Sequence, residues 1–536
     1  MSQDALAQLV FPCGKGGINR SKNFVDFPPT DLTMANGITV EHDTWRKEGG
    51  ASRLHPNGIG YTIVDAYDYW HGGTQELVAV VLNIDNSFDL VTIDSTGIQY
   101  TLKTGLGISG LPVAFAEGWN GSQNALYIPE SGSSILEYTG NGNPPTPIAA
   151  PNTDWAGASP QILFQHANRM WAAYVSSLGH DFFISKLLTH GVFNGSDTFR
   201  QSVYAGKGSG IRAAASWRRK VYAFKEPLGI YVLNDNASVD PANWSFDVLA
   251  ESIGIASTRG WTEVDSDIIF MATDGYLYSL SQIEAQGEQS VRPILPLETS
   301  NFLRAKIRPD MAHSTQLLWY GHKRQLWVMA TGVTNPFGDT LSERFVFDFH
   351  GPTPVFLYST LLGGSSLRHY RESVAGAPQK PILCGHNAFT LSDPSQLPNG
   401  FIYQLDREAR TKDGLGYTGQ FETPPRPFFP DGIRKGNLEH LEVVFEPKGE
   451  WDVDMEIHRD GQLSQTIPFS QQNSGGAVGS FSLDGDVLGG TTIANKRMRA
   501  LGDAQYVKLV GRNTGAGQDF SIQEMVLHFT PGAEAA

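Results

Sequence analysis

Residues 218–234 read RRKVYAFKEPLGIYVLN: a polar pair, an apolar run, a break and a second run rich in aromatic and β-branched side chains. An apolar run, a turn signal and a second such run predict a β-hairpin. The same opening recurs six more times, as QELVAVVL at Gln75, QNALYIPE at Gln123, NRMWAAYV at Asn168, SDIIFMAT at Ser266, KRQLWVMA at Lys323 and QKPILCGH at Gln379. Each segment is followed by a second apolar run, and the starts lie 48, 45, 50, 48, 57 and 56 residues apart.

This spacing, with several strands in each repeat, is typical of a β-propeller. A single blade cannot bury both of its faces, whereas blades stacked around an axis cover one another. We therefore predict an all-β fold with a β-propeller of about seven hairpin repeats, which allows six to eight blades. A large β-sandwich or a parallel β-helix with accidental spacing is the alternative interpretation.

The flanks of the repeats differ from the centre. Residues 1–60 contain turn signals without the repeat and predict an N-terminal arm, and the propeller is expected over 61–421. Residues 422–430 hold four prolines in nine positions and predict a stiff linker. After them, acidic and apolar residues alternate from Glu450 to Ile457, the period of a half-buried strand. We expect residues 431–536 to form an antiparallel β-sandwich.

Little helix is expected. The stretch SQDALAQLV, from Ser2 to Val10, is one candidate for a helix. A second is ETSNFLRAKI, from Glu298 to Ile307, with Thr299 or Ser300 as its N-terminal cap. The second candidate falls in the longest spacing between repeats and is expected to be an insertion.

Composition excludes several classes of protein. The formal charge of −15 argues against general binding to nucleic acid or to an anionic membrane, which needs a dense basic surface. Two cysteines in 536 residues cannot form a disulfide framework or a cysteine-rich zinc module. The first residues lack the pattern of a secretory signal, and the apolar runs are short for a membrane helix. We expect a soluble chain made in a reducing cytoplasm, with no membrane insertion.

Familiar catalytic motifs are missing. One family of propeller glycosidases carries its nucleophile in N-D-P-N-G, but here Leu54-His55-Pro56-Asn57-Gly58 places histidine where that aspartate is needed. There is no H-E-x-x-H, and Gly206 to Gly210 lacks the pattern of a P-loop. Asp484-Gly485-Asp486 leaves calcium binding open. We therefore expect no enzymatic activity, no cofactor and, apart from this open question of calcium, no metal site.

Two N-terminal motifs suggest a family. Gly16-Gly17-Ile18-Asn19 and Trp45-Arg46-Lys47-Glu48-Gly49 resemble the opening of tail proteins from short-tailed bacteriophages, the nozzle (tail tubular B-like) or tail-stabilisation proteins. The C-terminal runs Gln505 to Val510 and Phe520 to Phe529 are similar to the final strands of that family.

This resemblance implies a ring of six copies in the virion, below the portal and adaptor. The ring would retain the DNA genome and conduct it during ejection, with transient, non-specific contact in the lumen. Its other partners would be tail adaptor and portal-proximal proteins and tail fibre or spike proteins. An acidic conduit suits this role, since it repels phosphate and lets DNA slide.

Basic residues concentrate in the N-terminal arm of this acidic chain. We predict that they face an acidic neighbour in the ring; they are Arg20, Lys22, Arg46, Lys47 and Arg53. The alternative is ordinary solvated loop charge. For the protein as a whole, the alternative functions are a propeller glycan hydrolase and a cytoplasmic interaction scaffold.

Overall fold

Strands make up 59% and helices 7% of the structure, a computed structural model. The all-β prediction is therefore confirmed. The structure describes residues 6–13, 16–19, 28, 30–41, 44–55, 58–59, 62–83, 85–107, 113–130, 134–148, 160–175, 178–204, 210–235, 240–307, 309–334, 340–351, 353–362, 364–371, 379–385, 400–407, 410–411, 416–446, 451–471 and 494–534.

The chain divides into two compact units. The first, here called the propeller unit, comprises Arg53–Arg344 and Leu361–Leu405. The second, the sandwich unit, comprises Met1–Ser52, Phe345–Thr360 and Asp406–Ala536. This division differs from the consecutive segments expected from sequence, because both ends of the chain and a middle segment belong to one unit. Strand pairing joins residues far apart in sequence, so a unit need not be continuous.

Five short strands open the chain: β1 (Ala7–Pro12), β2 (Met34–Asn36), β3 (Ile38–Glu41), β4 (Thr44–Lys47) and β5 (Gly50–Arg53). The sheets that follow are β6 (Thr62–His71), β7 (Thr74–Leu82), β8 (Phe88–Asp94) and β9 (Gln99–Lys103); β10 (Ala116–Trp119), β11 (Asn124–Glu130), β12 (Ser134–Tyr138) and β13 (Thr146–Pro147); β14 (Ile162–His166), β15 (Arg169–Val175), β16 (Leu178–Ile184) and β17 (Phe199–Ser202). They continue with β18 (Ile211–Trp217), β19 (Lys220–Lys225), β20 (Ile230–Asn234) and β21 (Ser245–Ala250), then β22 (Trp261–Val264), β23 (Asp267–Met271) and β24 (Leu277–Ser279).

Two helices follow β24, namely α1 (Leu280–Gln286) and α2 (Leu297–Lys306). The next strands are β25 (Gln316–Tyr320), β26 (Gln325–Thr334), β27 (Thr340–Asp348), β28 (Val355–Leu362), β29 (Gly364–Tyr370), β30 (Lys380–Gly385) and β31 (Ile402–Arg407). The last are β32 (Gly419–Glu422), β33 (Arg426–Pro427), β34 (Arg434–Phe445), β35 (Trp451–Arg459), β36 (Gln462–Gln471), β37 (Ala494–Ala504), β38 (Tyr506–Asn513) and β39 (Ser521–Glu534).

The propeller unit confirms the predicted repeat. Within the described residues its sheets form seven blades, which begin at β6, β10, β14, β18, β22, β25 and β29. First strands of neighbouring blades contact each other, as β29 does with both β25 and β6. These first strands therefore lie around the axis. The hairpins read from sequence are the second and third strands of each blade, such as β7 with β8 and β19 with β20.

Apolar side chains bury the blade faces against each other. One cluster joins blades 1 and 2 through Val80, Leu126 and Tyr138, and another joins blades 7 and 1 through Ile382 and Ala79. Burial of this kind removes both faces of each sheet from water, which is the main favourable contribution to folding. Because blade 1 packs against both blade 2 and blade 7, the ring of blades is closed.

The helix predictions have mixed outcomes. α2 is where a helix was predicted, between blades 5 and 6, but its cap is Pro296, which makes no side-chain capping bond. Ser300 instead lies within α2, where it is buried and its hydroxyl donates to the Leu295 carbonyl. The helix predicted over residues 2–10 is wrong, because residues 7–12 form β1, paired antiparallel with β39. Tertiary pairing overrides local helix propensity there.

The sandwich unit consists of two sheets. One has the order β3-β4-β39-β34-β37, with β1 added to β39, and the other contains β2-β32-β38-β35-β36, with β33 paired to β38. The predicted C-terminal sandwich is thus confirmed, with strands of the N-terminal arm built into it. The proline-rich stretch contributes β33 and the buried Phe428. Asp452 and Asp454 are exposed while Trp451 and Val453 are buried, as their alternation predicts, but Glu456 is buried and departs from the pattern.

Candidate functional site

A buried charge cluster lies where first strands of several blades meet. Asp65 on β6 is fully buried, and its carboxylate accepts hydrogen bonds from Arg368 Nη2 at 2.7 Å and Ser366 Oγ at 2.5 Å. The backbone N–H of Val113, before blade 2, donates to the same carboxylate at 2.9 Å. Arg259, before blade 5, donates to Ser366 Oγ at 2.8 Å. One carboxylate therefore links blades 1, 2 and 7 directly and blade 5 through Ser366.

The charges in this cluster shift one another's pKa. Burial raises the pKa of Asp65, but the adjacent Arg368 and Arg259 outweigh burial and hold it below its ordinary value. Burial, reinforced by Arg368, lowers the pKa of Arg259 to about 9. A carboxylate that accepts this many hydrogen bonds inside a protein is ionised and strongly held. The position of Asp65 therefore suits a structural role, in which its carboxylate holds neighbouring blades together.

Two further carboxylates lie at the end of β29. Arg371, which directly follows that strand, places Nε 3.0 Å from Asp68 Oδ2 and Nη2 3.4 Å from Glu117 Oε1. Asp68 belongs to blade 1 and Glu117 to blade 2. Asn124 also donates to Glu117, at 2.9 Å. Two carboxylates from neighbouring blades are thus held together by one guanidinium.

A cavity of about 450 Å³ opens at the same end of the first strands. The described residues of its lining come from blades 5, 6 and 7 and are Thr262, Glu263, Trp319, Gly321, His322, His369 and Gln379. We call this cavity the exit pocket, because Glu263, Trp319 and His369 stand near the C-terminal ends of β22, β25 and β29. Its size is within the range of small-molecule sites.

His369 connects the exit pocket to the charge cluster. Burial, followed by the positive charges of Arg259 and Arg368, lowers the pKa of His369 to about 4. The imidazole is therefore neutral near pH 7, with one nitrogen that donates and one that accepts. Its buried Nδ1 atom makes no hydrogen bond with any of the described residues.

The predicted interface residues do not share one environment. Arg20 and Lys22 lie outside the described residues. Arg46 donates from Nε to Asp519 Oδ1 at 2.9 Å, within the sandwich unit. Arg53 places its guanidinium 3.7 Å from the centre of the Phe401 ring.

Lys47 is fully buried rather than on the surface. Its Nζ donates to Asn513 Oδ1 at 2.7 Å and to the Gly515 carbonyl at 2.9 Å. Its charge is thus used inside its own chain. The sequence shows this lysine two positions after Trp45, but it does not show which distant residues surround it.

The residues of the exit pocket and of the charge cluster were missed in the sequence. Their one signal is charge inside apolar strands, as in TIVDAYDYW around Asp65 and Asp68 and in SSLRHYR around Arg368 and Arg371.

No group of three or more His, Cys, Asp or Glu residues in the described ranges could hold a metal ion. Asp484 to Asp486 lie outside those ranges. Cys13 and Cys384 are both buried free thiols. None of the described helices is long and apolar enough to cross a membrane.

Comparison with known proteins identifies no family. No known family and no curated protein matches the chain. Among solved structures, the chain is similar to an exo-β-1,3-galactanase from Phanerochaete chrysosporium, at 10% identity and a TM-score of 0.27, over 90% of this chain and 99% of that one. It is also similar to the WD40 repeats of RRP9, at 9% identity and a TM-score of 0.38, over 67% and 99% of the two chains. YCF48 from Cyanidioschyzon merolae gives 11% identity and a TM-score of 0.38, over 66% and 98%.

This comparison corrects one expectation from the sequence. We expected no enzymatic activity because familiar motifs are missing, but glycoside hydrolases stand among the similar structures. The missing motifs therefore do not exclude an enzyme. At 10% identity the likeness concerns the fold alone and assigns no reaction to this chain.

Proposed function

We propose that this protein is a structural subunit of a bacteriophage tail, assembled as a ring that retains and conducts the DNA genome. The main support for this proposal is the position of the two N-terminal motifs that resemble tail proteins. They are not a loose arm: they tie three distant segments of the chain into the sandwich unit.

The first motif packs against the middle segment. The Ile18 N–H donates to the Phe356 carbonyl at 2.6 Å, and Asn19 Nδ2 donates to Asp31 Oδ2 at 2.7 Å. Gly17 has a φ of +64°, and a Cβ there would lie 2.5 Å from the Phe356 oxygen. Glycine is therefore required at this position by both backbone conformation and space.

The second motif packs against the C-terminal segment. Trp45 is fully buried, with its ring centre 4.9 Å from that of Phe421. Lys47 binds Asn513, and the Tyr417 hydroxyl donates to the Glu48 carbonyl at 2.5 Å. Residues of both N-terminal motifs thus pack inside this unit, which supports the proposal of a common architecture with tail proteins.

The chain's charge agrees with the proposal. A net charge of −15 disfavours tight binding to DNA, because the phosphate backbone is also negative. Transient contact with DNA in a lumen therefore suits this chain better than stable binding. The proposed partners are other copies of the chain, six in the ring, with tail adaptor and portal-proximal proteins and tail fibre or spike proteins. The proposed location is the virion, after synthesis in the host cytoplasm.

Sedimentation of a native lysate, followed with an antibody to this chain, tests the proposal. We expect the protein to sediment with large DNA-containing particles, and imaging of those particles to show a ring. A chain that remains as free 58.5 kDa protein while the particles sediment away contradicts the proposal.

Asp68 and Glu117 favour a second candidate function, glycan hydrolysis. Glycosidases use a pair of carboxylates set across the sugar bond, and these two approach one guanidinium from neighbouring blades. The test compares reducing-sugar release from polysaccharides by the wild type with release by Asp68→Asn and Glu117→Gln. Release that both variants abolish supports hydrolysis, and no release by the wild type contradicts it.

A further inference from the structure

We propose that the exit pocket binds an uncharged oligosaccharide built of hexopyranose units. This inference goes beyond the second candidate function, because Asp68 and Glu117 are not among the described residues that line this pocket, and it requires neither hydrolysis nor assembly into a tail. It rests on the shape of the pocket, its aromatic wall, its polar groups and its charge.

The aromatic wall is the half-buried indole of Trp319 on β25. A pyranose ring has apolar C–H faces and a rim of hydroxyl groups, and a large aromatic ring offers the matching flat apolar surface. Gly321 lies beside this indole, where a Cβ would be 3.3 Å from Trp319 Nε1. The cavity of about 450 Å³ is of the size that small ligands occupy.

The polar groups suit a ring of hydroxyls, each of which donates and accepts. Glu263 offers a carboxylate that accepts, while Thr262 and Gln379 offer a hydroxyl and an amide that do both. The neutral imidazole of His369 also has one donor and one acceptor. Its Nδ1 atom is buried and unpartnered among the described residues, a state that costs free energy. An aromatic wall with a few donors and acceptors is typical of small-molecule sites, and the alternating hydroxyls of a sugar can use both kinds of group.

The charge of the lining argues for an uncharged sugar. The seven lining residues within the described ranges include one carboxylate, Glu263, and neither lysine nor arginine. The nearby Arg259 and Arg368 direct their hydrogen bonds to Asp65, Ser366 and backbone carbonyls of the charge cluster. A uronic acid or a sugar phosphate would meet Glu263 with neither lysine nor arginine among the described lining residues to balance the charge, and like charges repel.

The experiment titrates the full chain with cellohexaose, laminarihexaose, maltohexaose and mannohexaose, with hexagalacturonate as an acidic probe. Calorimetry measures the Kd, and chromatography of the same mixtures detects cleavage. We expect at least one neutral hexaose to bind. Trp319→Ala should weaken that binding about 10-fold, the loss of one good aromatic contact. Trp119→Ala is the matched control, since Trp119 is 45% exposed and does not line the pocket.

Glu263→Gln is a second variant, at an exposed side chain where folding is not at risk, and it should weaken the same sugar several-fold. Circular dichroism checks that each variant is folded. Binding with or without cleavage supports the inference, so failure of hydrolysis and failure of binding are told apart. The inference is overturned if no neutral hexaose binds, if only hexagalacturonate binds, or if folded Trp319→Ala and Glu263→Gln both bind like the wild type.

Discussion

Arg368 Nη2 stands 2.7 Å from Asp65 Oδ2, and these two residues are 303 positions apart in the chain. Arg368 belongs to the first strand of blade 7 and Asp65 to the first strand of blade 1. The contact therefore lies at the junction where the ring of blades closes. Asp65 is fully buried and Arg368 is largely buried, with 17% of its side chain exposed. Loss of either side chain therefore leaves a poorly solvated charge without its partner.

Asp65→Asn should strongly destabilise the propeller unit. Removal of one partner of a buried ion pair typically costs about 3–5 kcal/mol of unfolding free energy. Thermal unfolding by circular dichroism measures the change. The matched control is Asp265→Asn, which breaks the 2.9 Å pair with Arg324 on the surface and should cost less than about 1 kcal/mol. If both variants lower the melting temperature equally, the pair of Asp65 and Arg368 does not stabilise the junction between blades 7 and 1.

Mild acid should reduce the stability of the propeller unit partly through His369. The pKa of His369 is about 4 when folded, against 6.5 for the ordinary side chain. Between these values the unfolded chain binds a proton that the folded chain does not, so stability falls as pH drops from about 6.5 to about 4. The contribution is at most about 3 kcal/mol.

Melting curves of the wild type and His369→Gln from pH 7.5 to pH 4 measure this effect. His166, His180, His190 and His440 also have lowered pKa values and give a slope of the same sign. The comparison isolates His369: the variant should lose less stability on acidification than the wild type. A parallel fall of the two curves contradicts the prediction.

Lys47→Met should destabilise the sandwich unit by about 2 kcal/mol, since it leaves the Asn513 and Gly515 oxygens without their charged donor. Lys435→Met is the control in the same unit, because Lys435 is 40% exposed and lies 3.4 Å from Asp503. Chemical denaturation monitored by tryptophan fluorescence compares the two. If Lys435→Met loses as much stability as Lys47→Met, the buried ammonium of Lys47 contributes no more to stability than an exposed one.

Gly17→Ala should loosen the attachment of the middle segment to the sandwich unit. Both Gly17 and Gly461 have positive φ, of +64° and +86°, so alanine is strained at either. Only at Gly17 would the new Cβ clash, 2.4 Å from Val355 Cγ1, while Gly461 has open space. We expect faster proteolysis of Gly17→Ala than of Gly461→Ala. If both variants are cleaved at the same rate, the backbone strain of alanine at positive φ accounts for the effect and the clash with Val355 does not contribute.

Much of the architecture could be predicted from periodicity. The second and third strands of each blade are covered on both faces, so they are continuous apolar runs that stand out in the sequence. First strands such as β6 carry Asp65 and Asp68 among apolar residues, and β10 has four residues, so neither gives a clear strand signal. The charged residues that form the candidate site are therefore on the strands that periodicity identifies least well.

The sequence by itself determined the all-β class, the repeat of about 50 residues and the terminal sandwich. These features follow from local alternation of apolar and polar residues, which each segment carries independently of its neighbours. The tertiary structure alone decided that Asp65 meets Arg368, that Lys47 is buried, and that Trp319, Glu263 and His369 line one pocket. Those contacts join positions up to hundreds of residues apart, and no local pattern encodes a pairing that forms only when the blades close into a ring.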